Sequence, residues 1–155
     1  MPVIHHSAIC VRDVDTSLRF WRDGLGFAVL MDERFDGDWP TLLRAPSTSL
    51  RSVFLGDPAD AAAGVVELVD LGGVPEAPTA GEGATSGFLL LSLTTDLDAA
   101  LDRLRALGLG GQPRRIEAHG VAMAVVTDPD GVEVELIDDA AAADLQRLTS
   151  NQETA

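Results

Sequence analysis

Apolar and polar positions alternate through Val132 to Asp138, so that Val132, Val134 and Leu136 fall on one face of a strand and Glu133, Glu135 and Ile137 on the other. An earlier stretch has the same phase: Val66 and Leu68 share one side, and Val65, Glu67 and Val69 take the opposite one. The turns ahead of the two strands also correspond, Asp57-Pro58 answering Asp128-Pro129 before Glu67-Leu68-Val69-Asp70 and Glu135-Leu136-Ile137-Asp138. Each copy therefore ends in a strand that carries one glutamate in an apolar frame, aimed away from the face that packs.

The remaining elements extend the correspondence. Val3 to Val11 reads as a strand with Val3, His5, Ser7, Ile9 and Val11 on one face and His6, Ala8 and Cys10 on the other. Asp13-Val14-Asp15-Thr16 caps a helix with Leu18, Trp21 and Leu25 along one side, which Gly24 and Gly26 stop. Phe27 to Arg34 is the next strand, Asp36-Gly37-Asp38 a turn, Trp39 to Ala45 a short helix or loop, and Leu50 to Gly56 a strand again. Gly72 to Gly87, rich in Gly, Pro, Ala and Thr, marks a linker. The pattern then restarts: Phe88 to Thr94 is a strand, and Asp96-Leu97-Asp98 caps a helix lined by Leu97, Leu101, Leu104 and Leu107 and ended by Gly108. This order predicts an α+β chain of two βαβββ units, residues 1–71 and 88–138, with a tail over 139–155.

Composition narrows the function classes. At 155 residues the chain has room for one ordinary domain or two half-domains that bury a core without disulfides. Its 11 basic residues, all arginine, face 25 acidic ones for a net charge of −14, which repels nucleic acid and suits a cationic or metal-bound ligand. The lack of lysine excludes Schiff-base chemistry and a phosphate-loop lysine. Cys10 is the lone cysteine, no stretch has the length of a membrane span, and the N-terminus has no export signal, so a cytoplasmic protein with no membrane partner is expected.

His6 with Asp13-Val14-Asp15, Phe20-Trp21 followed by Leu25-Gly26-Phe27, and Asp128-Pro129-Asp130-Gly131 leading to Glu135-Leu136 together resemble the vicinal oxygen chelate superfamily. That group contains glyoxalase I, methylmalonyl-CoA epimerase, fosfomycin-resistance enzymes, extradiol dioxygenases and bleomycin-resistance proteins. The resemblance covers nearly all of residues 3 to 138. It implies that the two units form facing half-barrels around a shared cleft, with four metal-ligand positions on the first and last strand of each unit, and that the protein is a homodimer.

Carried over by the offset of the helix caps, those positions fall on His6, Glu67, Leu89 and Glu135, and the resemblance thereby implies a divalent ion (Mg, Mn, Zn, Ni or Fe) held by His6, Glu67 and Glu135. Leucine is no donor, so the Leu89 gap either shifts the preference toward harder ions or abolishes the site. Glu135 and Glu67 are the candidate catalytic carboxylates, since a carboxylate in a partly dry hollow needs a cation, hydrogen bonds or a proton to offset its charge. Leu89 and Leu91, with Leu93, would form an apolar wall; Cys10, Trp39 and His119 are further pocket candidates, whereas His5 points away from His6 by strand phase. The expected function is a metal-dependent isomerase or lyase of glyoxalase or epimerase type acting on a small oxygen-rich metabolite. Two alternatives are a metal-free drug- or metabolite-binding protein and a metal-free acid-base enzyme that uses Glu67 and Glu135. Ring-cleaving dioxygenase chemistry fits less well, because only one of its two histidines is in place.

Overall fold

The structure, a computed structural model, describes residues 1–2, 4–60, 63–76 and 86–140. The chain divides into two compact units, Met1–Pro78 and Thr79–Ala155. Of the linker expected over 72–87 and the tail expected over 139–155, residues 77–85 and 141–155 lie outside the described residues.

The first unit runs β1 (Ser7–Cys10), α1 (Val14–Leu18), β2 (Ala28–Asp36), α2 (Trp39–Leu43), β3 (Ser49–Gly56) and β4 (Val66–Asp70). Its sheet has the order β1-β4-β3-β2, with β1 parallel to β4 and the other pairs antiparallel. Asp13 starts α1 by accepting the Thr16 backbone N–H at 2.7 Å, and that bond holds the Asp13 carboxyl below its ordinary range. Beyond Leu18 the helix widens into a π-helical turn over Arg19–Gly24. Gly26, at φ 92°, then turns the chain out of it while Phe27 N–H reaches back to the Trp21 carbonyl. This turn buries Phe20 and Trp21 completely, and α1 packs on β4. Ile9, Val53, Leu55, Val66 and Leu68 are the buried face of the sheet, each full burial contributing about 1.5–3 kcal/mol.

The second unit repeats the plan as β5 (Leu91–Thr95), α3 (Leu97–Ala106), β6 (Gly110–Ala118), β7 (Val121–Thr127) and β8 (Glu133–Asp138), in sheet order β5-β8-β7-β6. Asp96 caps α3 through the Ala99 N–H at 3.0 Å, and Leu97, Ala100 and Leu104 are its buried side. His119 and Gly120, both left-handed at φ 53° and 77°, join β6 to β7 in a two-residue turn that follows the strand twist. Between β7 and β8 the buried Asp128 carboxylate accepts the N–H groups of Asp130 (2.9 Å) and Val132 (2.8 Å), which sets the entry of β8.

The α+β fold of two βαβββ units is thus as the pattern predicts, and the segment read as a short helix or loop between β2 and β3 is the helix α2. Two strands are shorter than expected. β1 begins at Ser7 rather than Val3, a residue outside the described ones, and β5 begins at Leu91 because parallel pairing with β8 starts only there.

Candidate functional site

In the first unit Glu67 lies across from Ala8 of β1 and Phe54 of β3, while its neighbours Val66 and Leu68 turn into the core. The strand pattern thereby fixes the carboxylate on the face away from α1. Its side chain is 15 % exposed, and both oxygens have partners. Oε2 is 3.0 Å from His6 Nε2, and Oε1 accepts from the Ser52 hydroxyl at 2.5 Å. Ser52, 2 % exposed, is a diagonal neighbour on β3, two residues from Phe54. The other side of the His6 ring is occupied as well: its Nδ1 is 2.7 Å from His5 Nδ1, and the Phe54 ring centroid is 5.3 Å away. On the same sheet face Leu50 and Val69 join Ala45 and Leu71 in a small buried cluster covered by Trp39 and Val74. Trp39 is part of that cover, with its indole N–H donating to the Phe35 carbonyl at 2.9 Å. Cys10 is exposed, across from Val69 on β1.

In the second unit Glu135 occupies the corresponding place on β8, across from Ser92 on β5 and Val125 on β7, with Val134 and Leu136 fully buried. Ser92 donates its hydroxyl to Glu135 Oε2 at 2.7 Å. Glu133 is paired with Arg114 at 2.6 Å. The hydroxyl partner comes from β3 in one unit and from β5 in the other, so Ser52 and Ser92 are not repeat equivalents.

The register corrects the expected gap. Ala8 faces Glu67 as Ser92 faces Glu135, so the counterpart of His6, two residues before Ala8, is Leu90 and not Leu89. Leu89 is exposed ahead of β5, and Leu91 pairs with the fully buried Val134, which puts it on the core side of the sheet rather than beside Glu135. His119 is exposed at the β6–β7 turn, beyond Val121, which is itself four residues along β7 from Val125 and hence about 13 Å from the Glu135 row at about 3.3 Å per residue. It does not join that group. His5 does not point away from His6: the strand starts at Ser7, so period-two alternation does not govern residues before it.

Ser52, Ser92, His5 and Phe54 are the site residues that pattern reasoning missed. Ser52 had a signal, a lone hydroxyl in the frame Leu50, Ser52, Phe54, and Ser92 had the same kind of signal within Leu91-Ser92-Leu93.

Two four-stranded units, each ending in a strand that offers one glutamate on its open face, define the class of fold. The chain belongs to the Glyoxalase/Bleomycin resistance protein/Dioxygenase superfamily, whose model matches residues 3–136. It is 33 % identical over 145 residues to the lactoylglutathione lyase-like protein terB of Aspergillus terreus, covering 86 % of this chain and 74 % of that protein. Among solved structures it is similar to the trypanothione-dependent glyoxalase I of Leishmania major, at a TM-score of 0.71 and 23 % identity over the whole of both chains. The fosfomycin resistance protein FosX of Listeria monocytogenes shares the fold at a TM-score of 0.60 and 13 % identity, covering 89 % of this chain and 93 % of that one.

Members of this superfamily commonly use divalent metals. The residues of the first unit fit such an ion as a pair of donors. His6 Nε2 and Glu67 Oε2, 3.0 Å apart, are close enough to share an ion at about 2.0–2.2 Å from each. Their far atoms are held by His5 and Ser52, the outer support that metal ligands require. Among the described residues no three His, Cys, Asp or Glu side chains gather as a cation site.

Proposed function

We propose that this protein is a glyoxalase-like lyase or isomerase acting on a small oxygen-rich metabolite, with Glu67 as the group that takes and returns the proton. The observation that carries the reading is the held carboxylate: a mostly buried Glu67 on the open face of its sheet, fixed by Ser52 at one oxygen and facing His6 with the other. A base held at both oxygens loses little freedom when it meets a substrate C–H, and a positioned carboxylate contributes roughly 10²–10⁴-fold to such a step. The superfamily and the lactoylglutathione lyase-like relative support the same class of chemistry.

In the metal-dependent form of this reading His6 and Glu67 would hold a divalent ion, and Glu135 is the carboxylate that the family's ligand pattern assigns in the second unit. Bound there, the ion would polarise substrate oxygens as a Lewis acid. With leucine at the second unit's counterpart of His6, the family's ligand positions carry one nitrogen and two carboxylates in this sequence, a composition that leans toward harder ions. Ser92 then orients Glu135 as Ser52 orients Glu67. A homodimer belongs to the same proposal, and sedimentation at micromolar concentration tests it.

A second reading, metal-free binding of a drug or metabolite, draws on that leucine and on the apolar cluster of Leu50, Val69 and Leu71 beside Glu67. The experiment follows lactoylglutathione thioester formation from methylglyoxal and glutathione, with and without added Mn²⁺, Ni²⁺ or Zn²⁺, on wild type and Glu67→Gln. Turnover that falls at least 100-fold in Glu67→Gln supports the enzyme reading. Full activity in Glu67→Gln removes Glu67 from the proton step, and a wild type that binds ligand without turnover of this or related oxoaldehyde adducts favours the binding protein.

A further inference from the structure

Glu67 is a hydrogen-bond acceptor at both oxygens when ionised, so the 3.0 Å contact with His6 Nε2 requires the proton to sit on Nε2. A neutral imidazole with Nε2–H has a bare Nδ1. The 2.7 Å contact between His6 Nδ1 and His5 Nδ1 is then a hydrogen bond that His5 must donate. With both rings neutral, one choice of protons satisfies the whole chain: His5 Nδ1–H to His6 Nδ1, His6 Nε2–H to Glu67 Oε2, and Ser52 O–H to Glu67 Oε1. The rings are also packed into one orientation, because His5 meets His6 edge-on at 5.0 Å between centroids and both lie against Phe54, at 6.2 and 5.3 Å. His6, 32 % exposed at its side chain and ahead of the first hydrogen-bonded strand residue, has no backbone ladder to orient it.

From this we infer that His5 is a positioning residue: by donating to Nδ1 it holds the His6 ring in the orientation in which Nε2–H meets Glu67. The inference deepens the proposed function and rests on His6 and Glu67 forming the working pair. Were an ion held at Nε2, the same contact would reverse, with His6 Nδ1–H donating to His5 Nδ1, so His5 would still hold the ring.

The test is nitrogen-15 NMR of the metal-free protein at a fixed pH where both rings are neutral, with His119→Gln used to assign the third histidine. Wild-type His6 should be the Nε2–H tautomer and His5 the Nδ1–H tautomer. His5→Phe keeps a ring against Phe54 but removes the donor, so the His6 ring is free to turn away from Glu67 and should become a mixture of tautomers. His5→Asn restores a donor close to the lost Nδ1–H and should restore the Nε2–H form. In the thioester assay kcat should fall about tenfold in His5→Phe with KM little changed, and recover in His5→Asn. An unchanged His6 tautomer in His5→Phe, or a changed one that His5→Asn does not rescue, overturns the inference. A wild type without turnover defeats the enzyme reading alone, since the tautomer measurement is made without substrate.

Discussion

Replacing Ser52 with alanine isolates the bond that holds Glu67. Ser52 is 2 % exposed and its hydroxyl donates to Glu67 Oε1 at 2.5 Å, while the Glu67 side chain is 15 % exposed, so water cannot readily take the place of the lost donor. A hydrogen bond to a charged group contributes about 1.5–3 kcal/mol, and leaving a buried acceptor unpaired has a cost of the same size. Ser52→Ala should therefore destabilise the first unit by about 2 kcal/mol. At roughly 2–4 °C per kcal/mol for a chain of this size, the midpoint drops by about 4–8 °C. Glu67→Gln replaces the charged acceptor with a neutral one, and in that background the same serine change should cost only about 1 kcal/mol. Urea unfolding followed by tryptophan fluorescence reads this unit specifically, because both tryptophans, Trp21 and Trp39, lie within it. The control is Ser92→Ala, followed by circular dichroism. Ser92 is exposed, so loss of its 2.7 Å bond to Glu135 should cost no more than about 1 kcal/mol. A Ser52→Ala cost below about 0.5 kcal/mol, or one equal to that of Ser92→Ala, would refute the idea that burial makes the Ser52–Glu67 bond a strong one.

Asp128→Ala removes a buried acceptor of two backbone N–H groups and should cost about 2–3 kcal/mol, whereas Asp128→Asn, which keeps an oxygen in place, should cost less than half of that; thermal unfolding by circular dichroism separates the two. Asp32 is held below its ordinary value of 3.8 by two hydrogen bonds from Arg51, at 2.7 and 2.8 Å. Because the folded pKa is the lower one, the unfolded chain binds the proton more readily, and the pair's stabilisation is complete above 3.8 and lost as pH falls through the depressed folded value. With the Asp32 side chain 38 % exposed, solvent screening limits this to about 0.5–1 kcal/mol, so wild type should exceed Asp32→Asn by that margin at pH 7 and match it in strong acid. An equal difference at both pH values would contradict the assignment.

Much of the fold was legible because local signals agreed with one another. Asp13 and Asp96 both cap as their positions in the sequence suggest, each accepting the N–H three residues on, and Gly26 and Gly108 both stop a helix in a left-handed conformation. The frame of the two glutamate strands was legible for a different reason: with one face buried, a slip of one residue would bring Glu67 or Glu135 into the core, so the apolar alternation allows a single phase. The missing-ligand position differs from the expectation because the helix caps and the glutamate-facing strand residues of the two units are out of step by one residue. Four residues lie between Ala8 and Asp13, but only three between Ser92 and Asp96, so the connection from strand to cap is one residue shorter in the second unit. A loop absorbs that difference without disturbing either helix, whereas in a strand it exchanges the two faces. Aligned on the caps, the repeat puts Leu89 opposite His6; aligned on the residues that face the glutamates, it puts Leu90 there. His5 failed for a related reason, since alternation is a property of a paired strand, and pairing of β1 with β4 begins at Ser7. Upstream of it, ring packing against Phe54 and the shared Nδ1 contact decide where the two imidazoles go.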